Sequence, residues 1–231
     1  MNPFANLRRI RGHTVWIGPL CPDSWIVDAG AHRGEFSEEV HRLCGARTLL
    51  IEANPILASA LKPPPRGEIV QAALSAMDGT ADFIFSRNAE GGGITGASED
   101  PLGESQEVET ISLETVFTRL GTKPIDLLKL DIEGSEFELI EKTPDAILRG
   151  INQITVEFHE FLPTFANRRL FDKARKRLES LGFACFVMTL RGRGDVLFLN
   201  SARISLPPTK AYAWRFLGPW IIKLRERLGH A

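Results

Sequence analysis

Only Arg-Gly-Arg-Gly-Asp, residues 191–195, separates the strand-like runs FACFVMTL and VLFLN near the C-terminus. So short a connection joins antiparallel neighbours, because a parallel crossover needs a dozen residues or more. Upstream, strand and helix patterns alternate without an internal repeat. WIV leads into the helical EFSEEVHRLC, with Phe36, Val40, Leu43 and Cys44 on one face. TLLIEA (48–53) leads into PILASALK, which starts at Pro55, where a missing amide does no harm. EIVQAAL (68–74) reads as one strand, and Asp78-Gly79 as a turn into the alternating ADFIFS. VETIS precedes the helix SLETVFTRLG, IDLLKLDI (125–132) precedes EFELIEK, and INQITVEFHE (151–160) precedes NRRLFDKARKRLESLGF. Such alternation predicts a parallel sheet covered by helices. With the terminal hairpin it predicts an α/β fold whose mostly parallel sheet ends in an antiparallel hairpin. A dinucleotide dehydrogenase sheet would stay parallel throughout.

Smaller signals fill in the plan. Ser135 and Glu138 have capping-box spacing at the start of a helix. EGGGITGASED (90–100) reads as a loop over one end of the sheet. The expected organisation is an N-terminal extension (1–24), a central α/β domain (25–200) and an amphipathic tail (201–231). A length of 231 residues with 43% hydrophobic content suits one domain plus a short appendage. With 28 basic and 29 acidic residues there is no global basic field, so no nucleic-acid partner is expected. Cys21, Cys44 and Cys185 form no CxxC pair and read as free thiols in a reducing compartment. No apolar run follows Arg8, Arg9 and Arg11 as in a secretory leader, and none reaches the ~20 residues of a membrane span. A cytoplasmic location is the expectation.

The chemistry concentrates at strand ends. Asp28-Ala-Gly-Ala-His-Arg-Gly34 must turn the chain sharply between strand and helix, and Gly30 and Gly34 tolerate positive φ and close ligand approach. Asp28, Glu52 and Asp131 each end a predicted strand, the edge at which open α/β sheets bind ligands. Glu52 follows Asp28 at nearly the spacing of an acidic side chain that accepts from ribose hydroxyls. That fits a nucleoside ligand, whether NAD or S-adenosylmethionine. A pyrophosphate cradle wants GxGxxG, but here Asp28 occupies the first glycine position. An aspartate there suits an ammonium or sulfonium and repels a pyrophosphate.

The residues VDAGAHRGEFS (27–37), LLIEANP (49–55), AALSAMDG (72–79), ETISLETV (109–116), IDLLKLDIEGSEFELI (125–140) and ITVEFH (154–159) resemble the FkbM family of S-adenosylmethionine-dependent methyltransferases. The resemblance covers residues 25 to 160 and implies the class I, Rossmann-like methyltransferase fold, a seven-stranded, mostly parallel sheet with one reversed strand. It implies O-methylation of a small hydroxylated acceptor of sugar or secondary-metabolite type. Asp28, Gly30, Ala31, His32 and Gly34 would hold the methionine and sulfonium end. His32 departs from the asparagine common there. Glu52 would bind ribose, Ala73 and Leu74 would flank the adenine, and Asp131 with Glu133 would line the transfer site. His159 and Asp131 are the candidate bases for the acceptor proton. Asp131, Glu133 and His159 also offer oxygen and imidazole metal ligands, but no metal is assigned to the chain.

Two other classes compete: a nicotinamide-dependent oxidoreductase, and a non-catalytic nucleoside-binding protein. The tail KAYAWRFLGPWIIKLRERLGHA interleaves aromatic and basic residues. It can lie on a membrane surface, or pack on the domain or on a second subunit of a homodimer. Packing is the favoured reading, and Gly218-Pro219 is expected to interrupt any long helix.

Overall fold

A computed structural model of the chain describes residues 2–85, 92–94, 104–159, 168–190, 192 and 194–228. It opens with a hairpin, β1 (Leu7–Ile10) against β2 (His13–Trp16), turned at Arg11 and Gly12 with positive φ. Next come β3 (Trp25–Ala29), α1 (Glu35–Cys44), β4 (Arg47–Glu52), α2 (Pro55–Ala60) and β5 (Gly67–Gln71). They lead to β6 (Ala73–Leu74), β7 (Gly79–Phe85), β8 (Gly92–Ile94), β9 (Glu104–Ile111), α3 (Leu113–Arg119) and β10 (Leu127–Leu130). The last elements are α4 (Glu136–Lys142), α5 (Asp145–Arg149), β11 (Gln153–Val156), α6 (Arg168–Ser180), β12 (Phe183–Val187), β13 (Val196–Asn200) and α7 (Pro208–Arg227).

The main sheet has seven strands in the order β12-β13-β11-β10-β3-β4-β5. All its pairings are parallel except those of β13, which runs antiparallel to β11 and β12. The reversed strand is the one that the short 191–195 connection requires. Strands β3, β10, β11 and β13 are buried along their whole length, as expected where helices cover both faces. Val27, Leu49, Leu128 and Ile154 of the sheet form one core with Val116 of α3 and Leu178 of α6. From the β3–β10 pair the chain runs outward through β4 and β5 on one side, and on the other through β11 to the β13–β12 hairpin, in which β12 is outermost. The β3–β10 pair is the switch point at which a crevice opens beyond the carboxyl ends.

Several local expectations are corrected. EIVQAAL is not one strand. β5 ends at Gln71 on the sheet edge, and Ala73–Leu74 turns away to pair with β9 in a second sheet, β6-β9-β7-β8. Within 90–100, residues 92–94 form β8 against β7, and the rest of that segment lies outside the described residues. Ser135 caps α4 without a side-chain hydrogen bond. The amides of Ile132 and Gly134 go to the Glu136 carboxylate at 2.9 and 3.0 Å, and Glu138 pairs with Lys142 at the surface.

The tail holds the largest departure. α7 continues through Pro219, although an internal proline costs about 3 kcal/mol through its lost hydrogen bond and steric clash. Packing on both sides of the proline offsets this. Trp214 and Ile222 are buried in a cluster with Phe4, Trp16, Phe186 and Leu197, and Gly218 lies against Met188. The Trp214 ring meets Trp16 and Phe186 edge-on at 5.4 and 5.6 Å, and its Nε1 donates to the Pro3 carbonyl at 2.7 Å. Tyr212, Phe216, Leu217, Trp220, Leu224 and Leu228 remain exposed. No described helix is long and apolar enough to cross a membrane. Trp214→Ala should cost roughly 3–5 kcal/mol of stability in urea denaturation. An unchanged midpoint would mean that α7 merely touches the sheet.

Candidate active site

The turns that follow β3, β4 and β10 surround a cavity of about 260 Å³. Gly30, Ala31 and His32 supply one wall, Glu52 and Asn54 the next, and Ala73, Leu74 and Phe83 an apolar side. Asp131 and Glu133 stand at another edge, and Arg11 reaches in from the N-terminal hairpin, paired with Glu35.

Gly30 has φ 74°, and a Cβ there would overlap the Asp131 carbonyl oxygen. The glycine therefore lets two backbone turns touch, which bears on the site's shape before any ligand arrives. Glu52 stiffens the same wall. Its Oε2 accepts from the His32 amide at 2.7 Å, and its Oε1 from the Asn54 amide at 2.9 Å. Each carboxylate oxygen can accept a further hydrogen bond, so Glu52 still offers acceptors to the cavity.

Beneath the floor lies Lys129, buried and in register with Asp28 on the neighbouring strand. Its Nζ donates to the Gly30 carbonyl at 2.6 Å and stands 3.4 Å from Asp28 Oδ1 and 3.3 Å from Asp131 Oδ2. Burial would lower the lysine's pKa, but the two aspartates outweigh it and keep the amine charged. Asp28 is fully buried, and its other oxygen accepts from Ser37 Oγ at 2.8 Å. This corrects the expectation that Asp28 meets ligand cations directly: it lies behind the wall and acts through Lys129 and Ser37. Gly34 also lies outside the wall, where its missing side chain leaves room for Leu50 and Leu61.

Asp131 is ringed by cationic and imidazole groups. Burial would raise its pKa, but Lys129, His13 and His159 hold the carboxyl well below the usual range. His159 is nearly buried, with Nδ1 2.9 Å from Glu136 Oε1. Glu136 already accepts two amides, so Nδ1 is the donor. Nε2 lies 3.3 Å from Glu133 Oε2 and 3.7 Å from Asp131 Oδ1. Burial lowers the imidazole's affinity for a proton, yet Glu136, Glu133 and Asp131 more than reverse this and raise its pKa to about 9. An imidazole that already holds its proton at neutral pH cannot take another. This argues against His159, one of the two candidate bases with Asp131, as the group that takes the acceptor proton.

The structure brings Gly30, Ala31, His32, Glu52, Ala73, Leu74 and Asp131 to one cavity, with His159 against the Asp131 edge. Several contributors escaped the sequence reading, among them Lys129, Arg11, His13 and Glu136. Lys129 had a usable signal: a lysine inside the apolar strand IDLLKLDI must be paired if the strand is buried. Arg11, His13 and Glu136 had none, since their partners are set only by the folded chain.

The family described as methyltransferase FkbM domain matches residues 28–185. No curated protein matches the chain in sequence. Among solved structures, a precorrin-6y C5,15-methyltransferase from Geobacter metallireducens superposes with a TM-score of 0.40 at 16% identity, covering 79% of this chain and 81% of its own. Fibrillarin from Aeropyrum pernix, which holds natively bound S-adenosyl-L-methionine, gives 0.43 at 11% identity, covering 78% and 66%. Likenesses this loose carry no weight for the chemistry.

Proposed function

Because the chain belongs to the FkbM family of S-adenosylmethionine-dependent methyltransferases, we propose that it methylates a hydroxyl oxygen on a small acceptor, a sugar or secondary-metabolite type of molecule. The carrying observation is the pair Asp131 and Glu133 at the cavity edge. Two carboxylates side by side accept and orient an O–H.

The residues present fit the cofactor. Glu52 offers carboxylate oxygens for ribose hydroxyls, and Ala73, Leu74 and Phe83 offer an apolar surface for an adenine. The Gly30–His32 turn would receive the methionine end. Bound there, the cofactor supplies a sulfonium methyl group, an electrophile that needs no further activation. The chain's own work is placement: the wall fixed by Glu52, Lys129 and Gly30 holds one reactant, and the carboxylate edge holds the other in line with it. Such positioning can supply much of the rate acceleration of a displacement.

Calorimetry with S-adenosylmethionine, S-adenosylhomocysteine and NAD tests the cofactor reading, with heat expected from the first two alone. Glu52→Gln should weaken S-adenosylmethionine binding by roughly 1.5–3 kcal/mol through loss of charged hydrogen bonds; equal affinity would remove Glu52 from the site. Hydroxylated and amine acceptors, screened by mass for a methyl gain, test the oxygen assignment. A gain confined to amines would refute it.

A further inference from the structure

α7 is apolar on two sides. Its inner side, bearing Trp214, Gly218 and Ile222, packs on β12, β13 and the N-terminal hairpin. Residues four apart share a helix face, and Tyr212, Phe216, Trp220, Leu224 and Leu228 follow one another at that interval along the outer side, with Leu217 widening the row. Each of these six is more than half exposed. The Tyr212 and Phe216 rings stand 4.7 Å apart, so the patch is continuous there. A contiguous apolar patch of this kind marks an interaction surface. The helix cannot roll to bury it, because the inner side is tied down. Arg225 donates to the Leu7 and Phe4 carbonyls at 2.8 and 3.3 Å, and Glu226 pairs with Arg9.

The charge on this outer side has one sign. Lys223 and Arg227 stand among the outer apolar residues and Arg215 at their border, all three exposed. The one acid of α7, Glu226, is already engaged by Arg9, and no carboxylate among the described residues lies within ion-pair distance of the three cations. A second copy of the chain meeting this face across a two-fold axis would set the same cations against one another with no acid between them. Anionic lipid headgroups supply the missing charge. The acyl boundary below them takes leucine and phenylalanine side chains, and tyrosine and tryptophan suit the headgroup level, where an apolar ring meets water at its polar edge.

We propose that the outer side of α7 docks the protein on an anionic membrane surface, with the helix lying in the plane of the bilayer. Trp220 and Phe216 enter the headgroup boundary, while Lys223 and Arg227 meet lipid phosphates. The inner side stays on the sheet, so the folded domain is carried to the membrane as it stands. The helix lies on the bilayer and does not span it, in keeping with the absence of a long apolar helix among the described residues. None of these outer residues lines the cavity, so docking is a property separate from methyl transfer.

Mixed with vesicles and sedimented, the full chain should pellet with phosphatidylcholine containing phosphatidylglycerol and stay in solution with phosphatidylcholine alone. Added salt should release it, because screening shortens the reach of the charges. Phe216→Ser combined with Trp220→Ser should abolish pelleting. Lys223→Gln combined with Arg227→Gln should lower vesicle affinity roughly 5-fold for each charge removed. Ile56→Ser, at an exposed apolar position on α2, should leave pelleting unchanged. The four substituted α7 positions are exposed, so circular dichroism and urea midpoints should match the parent, and the glutamine variant carries the test if the serine variant does not fold. No pelleting with the anionic vesicles, equal pelleting with neutral ones, or pelleting unchanged in both α7 variants overturns the proposal. A dimer in analytical ultracentrifugation that dissociates in the serine variant would assign this face to a second copy and overturn it as well.

Discussion

Gly30→Val should abolish S-adenosylmethionine binding and also destabilise the protein, whereas Gly34→Ala should leave binding largely intact. Both glycines have positive φ, at 74° and 77°, where a side chain costs about 1–3 kcal/mol of backbone strain. They differ in what a Cβ meets. At Gly30 it meets the Asp131 carbonyl, a backbone atom that cannot move without displacing the turn bearing Asp131 and Glu133. At Gly34 it meets the ends of Leu50 and Leu61 at 3.2 Å, and these flexible methyls can give way. Calorimetry gives the affinity, and urea denaturation the stability. Wild-type affinity in Gly30→Val would mean that the two turns do not jointly form the site.

Lys129→Met should cost about 3–5 kcal/mol, because it leaves a buried charge without its partner. Asp28 is fully buried, and Lys129 is the cation facing it among the described residues. The same substitution removes the hydrogen bond to the Gly30 carbonyl, so S-adenosylmethionine affinity should fall as well. Asp28→Asn added to Lys129→Met should recover part of the loss, and the double variant should be more stable than the single-variant costs predict. Strict additivity in urea denaturation would show that the two residues are not coupled. A Lys129→Met protein as stable as the parent would refute the role of the lysine altogether.

How much of the site was legible follows from the range of the forces involved. Gly30 and Glu52 could be found because a strand-to-helix turn and a strand end have local signatures in turn chemistry and periodicity. His159 was found as a residue, one of two candidate bases, with its role left open. As a histidine at a strand end it resembles a base, and only the positions of Glu133, Glu136 and Asp131 around it show that it holds its proton. Asp28 was found and placed one layer too far out, since the sequence carries no record that Ser37 and Lys129 satisfy it from within.

The alternation of apolar periods, the glycine-bearing turn, the acidic strand ends and the short 191–195 connection were enough to determine a mostly parallel sheet ending in an antiparallel hairpin, with a ligand edge. These are properties of neighbouring residues, and the backbone obeys them wherever the segment comes to lie. The tertiary structure alone decided that α7 runs through Pro219, that the strand after Gln71 changes sheets, and that the N-terminal hairpin delivers Arg11 to the cavity and His13 to Asp131. Each of those outcomes turns on contacts between residues far apart in the chain. Packing can outweigh a local propensity worth about 3 kcal/mol, and the charge of a buried group is set by what stands within a few ångströms of it in space.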